Sequence, residues 1–214
     1  DEILKKCGGL PLAIISISSL LANISATKEE WEKVKRAIGS ALERKQSLEG
    51  MSRILSLSYN DLPPNLKTCF LYLSVFPQDY VIDRERLVRL WIGEGFIPEE
   101  PGQSRQEVAE NYFYMLINKS MILPVDIGYD GKARACRVHD TILDFIISKS
   151  IEENFVTFVG VPYITSGAQR KVRRLSLQVD EEGNSIRKTG MVLSHVRSLN
   201  VFGYSMEIPP LSEF

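Results

Sequence analysis

Arg137-Val138-His139-Asp140-Thr141-Ile142-Leu143-Asp144-Phe145 is the stretch on which the fold turns, because a β pattern gives way here to a helical one. Cys136 to Val138 is a short β-prone run. Asp140 predicts an N-cap, since its carboxylate can accept from the unpaired N–H groups of a first helical turn. Ile142, Phe145 and Ile146 then recur at helical spacing and face a core. His139 therefore falls at a strand–helix junction, beside free N–H donors and the positive end of the helix. Such a corner suits an anion, phosphate above all. By themselves the same residues also describe a capped helix with an incidental histidine.

Working outward, Met121 to Val125 and Ala133 to Val138 read as two strands joined by Gly128-Tyr129-Asp130-Gly131, which has hairpin-turn chemistry. Three helices precede them. Leu62-Pro63-Pro64 leads into a helix over 65–75 that stops at Phe76-Pro77. Asp83 caps the next, which turns Leu87, Leu90 and Trp91 inward and ends at Gly95. Ser104-Arg105-Gln106-Glu107 is a capping box, and its helix presents Val108, Tyr112, Met115 and Leu116. Three helices followed by a hairpin is a winged-helix order, with a core drawn from Phe70, Leu73, Leu87, Trp91, Tyr112 and Leu116.

Nearer the start, residues 1–6 read as the end of a helix stopped by Gly8-Gly9. Leu10-Pro11-Leu12-Ala13 opens another, with Pro11 in a first turn where no N–H is needed and Ile14, Ile17 and Leu21 inward. Thr27-Lys28-Glu29-Glu30 is a second capping box, and its charged helix turns Trp31, Val34, Ile38 and Leu42 inward. A further short helix runs near Ile54 to Tyr59. Beyond Ile151, Val172-Arg173-Arg174-Leu175-Ser176-Leu177 returns 24 residues later as Val196-Arg197-Ser198-Leu199-Asn200-Val201, an offset within the leucine-rich-repeat range. Each copy predicts one short strand. The basic cluster Arg170–Arg174 reads first as solvated arginines flanking a strand, and otherwise as a nucleic-acid patch or a surface for an acidic partner.

Composition removes several functions. A net charge of −1 advertises neither nucleic acid nor an anionic membrane surface. The apolar run from Leu10 to Ile24 is too short and too polar to span a bilayer, and no signal peptide is visible. Three cysteines, Cys7, Cys69 and Cys136, lie far apart and fit a reducing compartment. With two histidines in the chain, no metal-ligand spacing and no Ser/His/Asp or Cys/His set emerges, so neither a metal site nor a catalytic residue is expected. No G-x-x-x-x-G-K-[ST] phosphate loop is present. The helix 104–119 sets Arg105 and Lys119 against Glu107 and Glu110, too neutral for major-groove reading. The start at Asp1, in what reads as mid-helix, points to a piece of a longer chain.

Four of these segments resemble motifs of plant NB-ARC leucine-rich-repeat disease-resistance proteins of the coiled-coil class. Gly8-Gly9-Leu10-Pro11-Leu12-Ala13 is similar to the GGLPLA motif, and Cys69–Pro77 to a CFLYCSIFP-like motif. Leu90–Ile97 is similar to an LWIAEGFI-like segment. Arg137–Asp140 falls where the family has Met-His-Asp, with Val138 in place of the methionine. They occur in the family's order over roughly residues 1–150.

The resemblance implies a mainly α architecture in three parts. These are a helical first ARC subdomain over 1–58, a winged-helix second ARC subdomain over 59–155 with three helices and a β-hairpin wing, and a linker with the first strands of an α/β leucine-rich-repeat solenoid over 156–214. It implies ADP or ATP as ligand of the whole protein, with Pro11 and Leu12 against the adenine and His139 on a phosphate. Gly9, Asp140 and Trp91 are then switch or structural positions. The magnesium ligands lie outside this segment, which is expected to hold nucleotide weakly by itself and not to be an enzyme. Implied partners are the protein's own nucleotide-binding and leucine-rich-repeat domains, further copies on activation, and a pathogen effector or guarded host protein, but no specific DNA. The implied setting is cytoplasmic, in innate immunity and the hypersensitive response.

Overall fold

The computed structural model describes residues 7, 11–23, 25, 27–38, 48–160, 172–178 and 193–203. Among these the chain forms seven α-helices and two small sheets. The helices are α1 (Pro11–Asn23), α2 (Lys28–Ile38), α3 (Leu48–Asn60), α4 (Pro64–Tyr72), α5 (Arg84–Gly93), α6 (Arg105–Asn118) and α7 (Asp140–Glu152). A 3-10 turn, Leu73–Val75, continues α4. The strands are β1 (Ile82–Asp83), β2 (Leu123–Ile127), β3 (Ala133–Arg137), β4 (Thr157–Gly160), β5 (Arg174–Gln178) and β6 (Ser198–Phe202).

Helices α4 to α6 with β1 to β3 make the winged helix. Its local signals behave as read. The Asp83 carboxylate accepts from the Arg86 amide at 2.8 Å. Ser104 and Glu107 form a complete capping box: the Ser104 hydroxyl accepts from the Glu107 amide and the Glu107 carboxylate accepts from the Ser104 amide. Gly95 ends α5 with φ +76°, and the bonds Gly95 N–H to Ile92 O and Phe96 N–H to Trp91 O close the turn, a Schellman arrangement. Phe70, Leu73, Leu87, Trp91 and Leu116 are fully buried, and half-buried Tyr112 packs on them. Ile17, Val34, Phe113 and Ile146 belong to the same continuous core, which runs from Cys7 to Phe158.

The structure corrects two packing expectations and one strand boundary. The indole of Trp31 is 44% exposed, because α2 meets the bundle through Val34 and leaves its first turn outside. The side chains of Ile38 and Leu42 lie outside the described residues. Met115 is exposed as well. Ala109, Phe113 and Leu116, at i, i+4 and i+7, define the buried stripe of α6, and Met115 sits beside it. The strand expected from Met121 begins at Leu123 instead. The Ser120 and Met121 amides are used to close α6, donating to the Ile117 and Leu116 carbonyls with Ser120 at φ +56°.

The wing gains a strand that the sequence reading did not contain. β1 pairs antiparallel with β3, Ile82 opposite Cys136, so the sheet order is β1-β3-β2. The second sheet, β4-β5-β6, is parallel. Arg174 pairs with Ser198 and Leu177 with Val201, which is the 24-residue offset of the repeated hexamer realised as strand register.

Candidate functional site

The corner between β3 and α7 is built by pairing on one side and burial on the other. Cys136 is held between β1 and β2. Val138 is buried, so the apolar replacement serves as a core anchor. Ile142, Leu143, Phe145 and Ile146 seat α7. α7 is fixed to the rest of the body by the buried Ser74 hydroxyl donating to Ser150 Oγ at 3.2 Å and by Phe145 packing edge-on against Tyr59 at 5.9 Å. Between these anchors, His139 and Asp140 are exposed.

The cap is one residue earlier than the sequence indicates. His139, at φ −66° and ψ 140°, is the N-cap, and its Nδ1 accepts from the Thr141 amide at 3.2 Å. Its carbonyl accepts the Ile142 and Leu143 amides, both at 2.8 Å. Asp140 is already the first helical residue, so its carboxylate cannot act as the expected cap. It stands exposed in the first turn, where a negative charge favours the helix dipole. With Nδ1 accepting, the neutral imidazole carries its proton on Nε2, the nitrogen which that bond leaves available to donate. Thr141, which fixes the tautomer, carries no signal of its own in the sequence beyond a histidine two residues before an amide in a helix's first turn.

The other sequence-indicated positions are dispersed. Pro11 is exposed at the first position of α1 and Leu12 is half-buried against the core. Among the described residues, no hydrogen bond, ion pair or ring contact joins either of them to His139. Gly9 lies outside the described residues. Trp91 is wholly buried, and its Nε1 has no hydrogen-bond partner among the described residues; it is a packing residue of α5 and not a lining of the corner. Among the described residues no group of three or more His, Cys, Asp or Glu could hold a metal ion, and no helix is long and apolar enough to cross a membrane.

The cations at the two ends of α6, Arg105 in its first turn and Lys119 at its C-cap, are engaged within the protein. Arg105 binds Glu99, and Lys119 binds Asp61 at 2.9 Å with its side chain 14% exposed. Of the basic cluster, Arg174 finds an acidic partner: its Nε lies 2.6 Å from Glu94 Oε2. Nothing local in the sequence links positions 80 residues apart, and Glu94 was not singled out by its pattern.

Residues 75–146 match the model of the disease resistance protein winged-helix domain. This segment is a disease-resistance winged helix. The surrounding chain is 46% identical over 211 residues to disease resistance protein PIK6-NP of Oryza sativa subsp. japonica, covering 97% of this chain and 20% of that protein. It is 35% identical over 215 residues to disease resistance protein RGA5 of the same organism, covering 100% and 19%. Late blight resistance protein R1-A of Solanum demissum is 38% identical over 165 residues, 77% of this chain and 12% of that protein. The chain thus spans about a fifth, or less, of the length of these plant resistance proteins. The His139 corner lies within the matched winged helix, and α7 continues beyond it.

Proposed function

We propose that this chain is the regulatory segment of an intracellular plant immune receptor, and that its His139 corner senses a bound nucleotide. The observation carrying this reading is the arrangement at His139: exposed, held by the Thr141 amide at Nδ1, and so left with Nε2–H as a donor at a positive helix end. ADP is clamped between a nucleotide-binding domain elsewhere in the whole protein, Pro11 at the adenine and His139 at a phosphate. That contact holds the winged helix in the resting arrangement. Exchange for ATP releases it and permits assembly with further copies, the signal for defence. Effector recognition, magnesium binding and any nucleotide hydrolysis belong to other parts of the receptor, and this segment supplies no catalytic group. The parallel sheet β4-β5-β6 reads as the opening of a leucine-rich-repeat solenoid, supported by the 24-residue register of β5 on β6.

A ligand moves such an equilibrium only through its differential affinity for the two states. A hydrogen bond from His139 to a charged phosphate, worth about 1.5–3 kcal/mol, shifts populations by roughly ten- to a hundredfold. DNA reading by the winged helix is disfavoured because Arg105 and Lys119 are already paired with Glu99 and Asp61. The reading is tested by the nucleotide content of the purified full-length receptor with and without His139. Calorimetry on the 214-residue chain should give no micromolar ADP affinity, since most phosphate contacts lie elsewhere.

A further inference from the structure

We propose that Arg174 is an interdomain lock that fastens the parallel sheet to the winged helix as a single mechanical unit. The inference stands on packing alone and does not depend on the nucleotide reading. Arg174 opens β5, and its guanidinium carbon lies 4.3 Å from the ring centre of Phe155 and 4.9 Å from that of Phe96. The two rings are themselves 5.9 Å apart. Its Nε meets Glu94 Oε2 at 2.6 Å, with the side chains of Arg174 and Glu94 only 19% and 10% exposed. Glu94 closes α5, and Gly95 at φ +76° turns the chain so that Phe96 follows immediately. A planar cation over two adjoining aromatic rings and against one carboxylate uses both properties that distinguish arginine from lysine.

Each strand of the sheet has its own attachment to the winged-helix side. Phe158 of β4 is part of the main core. In β5 the Ser176 hydroxyl donates to the Val75 carbonyl at 2.8 Å, fully buried. Phe202 of β6 packs against Phe76 at 5.6 Å and Tyr80 at 5.3 Å. Among the described residues, Arg174 and Glu94 are the charged pair in this seam. A shielded pair fixes register sharply, because a sheet shifted by one residue strands two charges away from water. A force on the sheet therefore reaches the end of α5 directly.

Hydrogen exchange on the complete chain tests the lock. Arg174→Gln and Glu94→Gln should each speed exchange of the β5 amides, 174–178, by at least about tenfold, while the α6 amides, 105–118, keep their rates. The double variant should exchange more slowly than the product of the two single effects, because both remove one interaction. Arg174→Lys, which keeps the charge and loses the planar fork, should fall between wild type and Arg174→Gln, and serves if the glutamine variant does not fold. Unchanged β5 exchange in both glutamine variants overturns the proposal. So does equal acceleration in β5 and α6, which would make Arg174 a contributor to general stability and not a lock.

Discussion

The imidazole Nδ1 of His139 accepts the backbone N–H of Thr141, so the histidine is itself the cap of α7. One side chain then holds a helix end and, in the function proposed above, also offers Nε2–H to a ligand. Asparagine is among the strongest N-caps but cannot place a donor where the imidazole does. His139→Ala should lower stability by about 0.5–2 kcal/mol, and His139→Asn should melt at or above wild type. Asp140→Ala, which removes only a first-turn charge, should cost about 0.3–1 kcal/mol. Urea unfolding in which His139→Ala equals wild type would show that the cap does not form.

Trp91 is the largest fully buried side chain. Trp91→Ala should cost about 3–5 kcal/mol, as large core truncations do. A thermal melt unmoved by the substitution would contradict the packing of α5 in the core.

These two residues show how much of the molecule was legible in the sequence. Trp91, the Asp83 cap and the Ser104 box were readable because each signal is complete within one helix. The sequence pattern points to Asp140 as the cap of α7 because aspartate is the commoner cap, whereas the dihedral angles, which decide the matter and are not written in composition, give the cap to His139. β1 escaped notice because two residues carry no periodicity; it exists only through its pairing with β3. Helical spacing points Trp31 inward, yet the residue is exposed, because spacing defines a face but not what, if anything, covers it. Pro11, Leu12 and His139 are named as nucleotide contacts from family resemblance alone, whereas the Arg174–Glu94 pair needs the tertiary fold to bring it together.

Acid should loosen α6 through Glu107. Its carboxylate accepts from the Ser104 amide at 2.7 Å and the Ser104 hydroxyl at 2.8 Å, which holds its pKa below the usual carboxylate range. A lowered folded pKa gives stability that is present above the unfolded value and lost as pH falls through the folded one. The gap in urea midpoint between wild type and Glu107→Ala should therefore close on going from about pH 6 to about pH 3. A gap independent of pH would mean that the charged form is not what the box holds.

Base should act through the buried thiols. Burial pushes the Cys136 thiol up from 9.0 to about 12 and raises Cys69 as well. A raised folded pKa gives stability that is complete below the unfolded value and lost as pH rises towards the folded one, between about 9 and 12 for Cys136. At neutral pH both thiols should resist iodoacetamide in the native chain and react in urea. Labelling of either at the rate of a small free thiol would contradict their burial.

The central claim, that His139 reads the nucleotide, meets its most direct test in the full-length protein carrying His139→Asn. That variant keeps the helix cap and removes the imidazole donor, so a change in ligand cannot be ascribed to a frayed α7. The measurement is ADP per molecule after purification, by chromatography of the heat-released nucleotide. The account predicts a clear loss of ADP relative to wild type, with the melting of the winged helix preserved. Wild-type ADP content in that variant would contradict it.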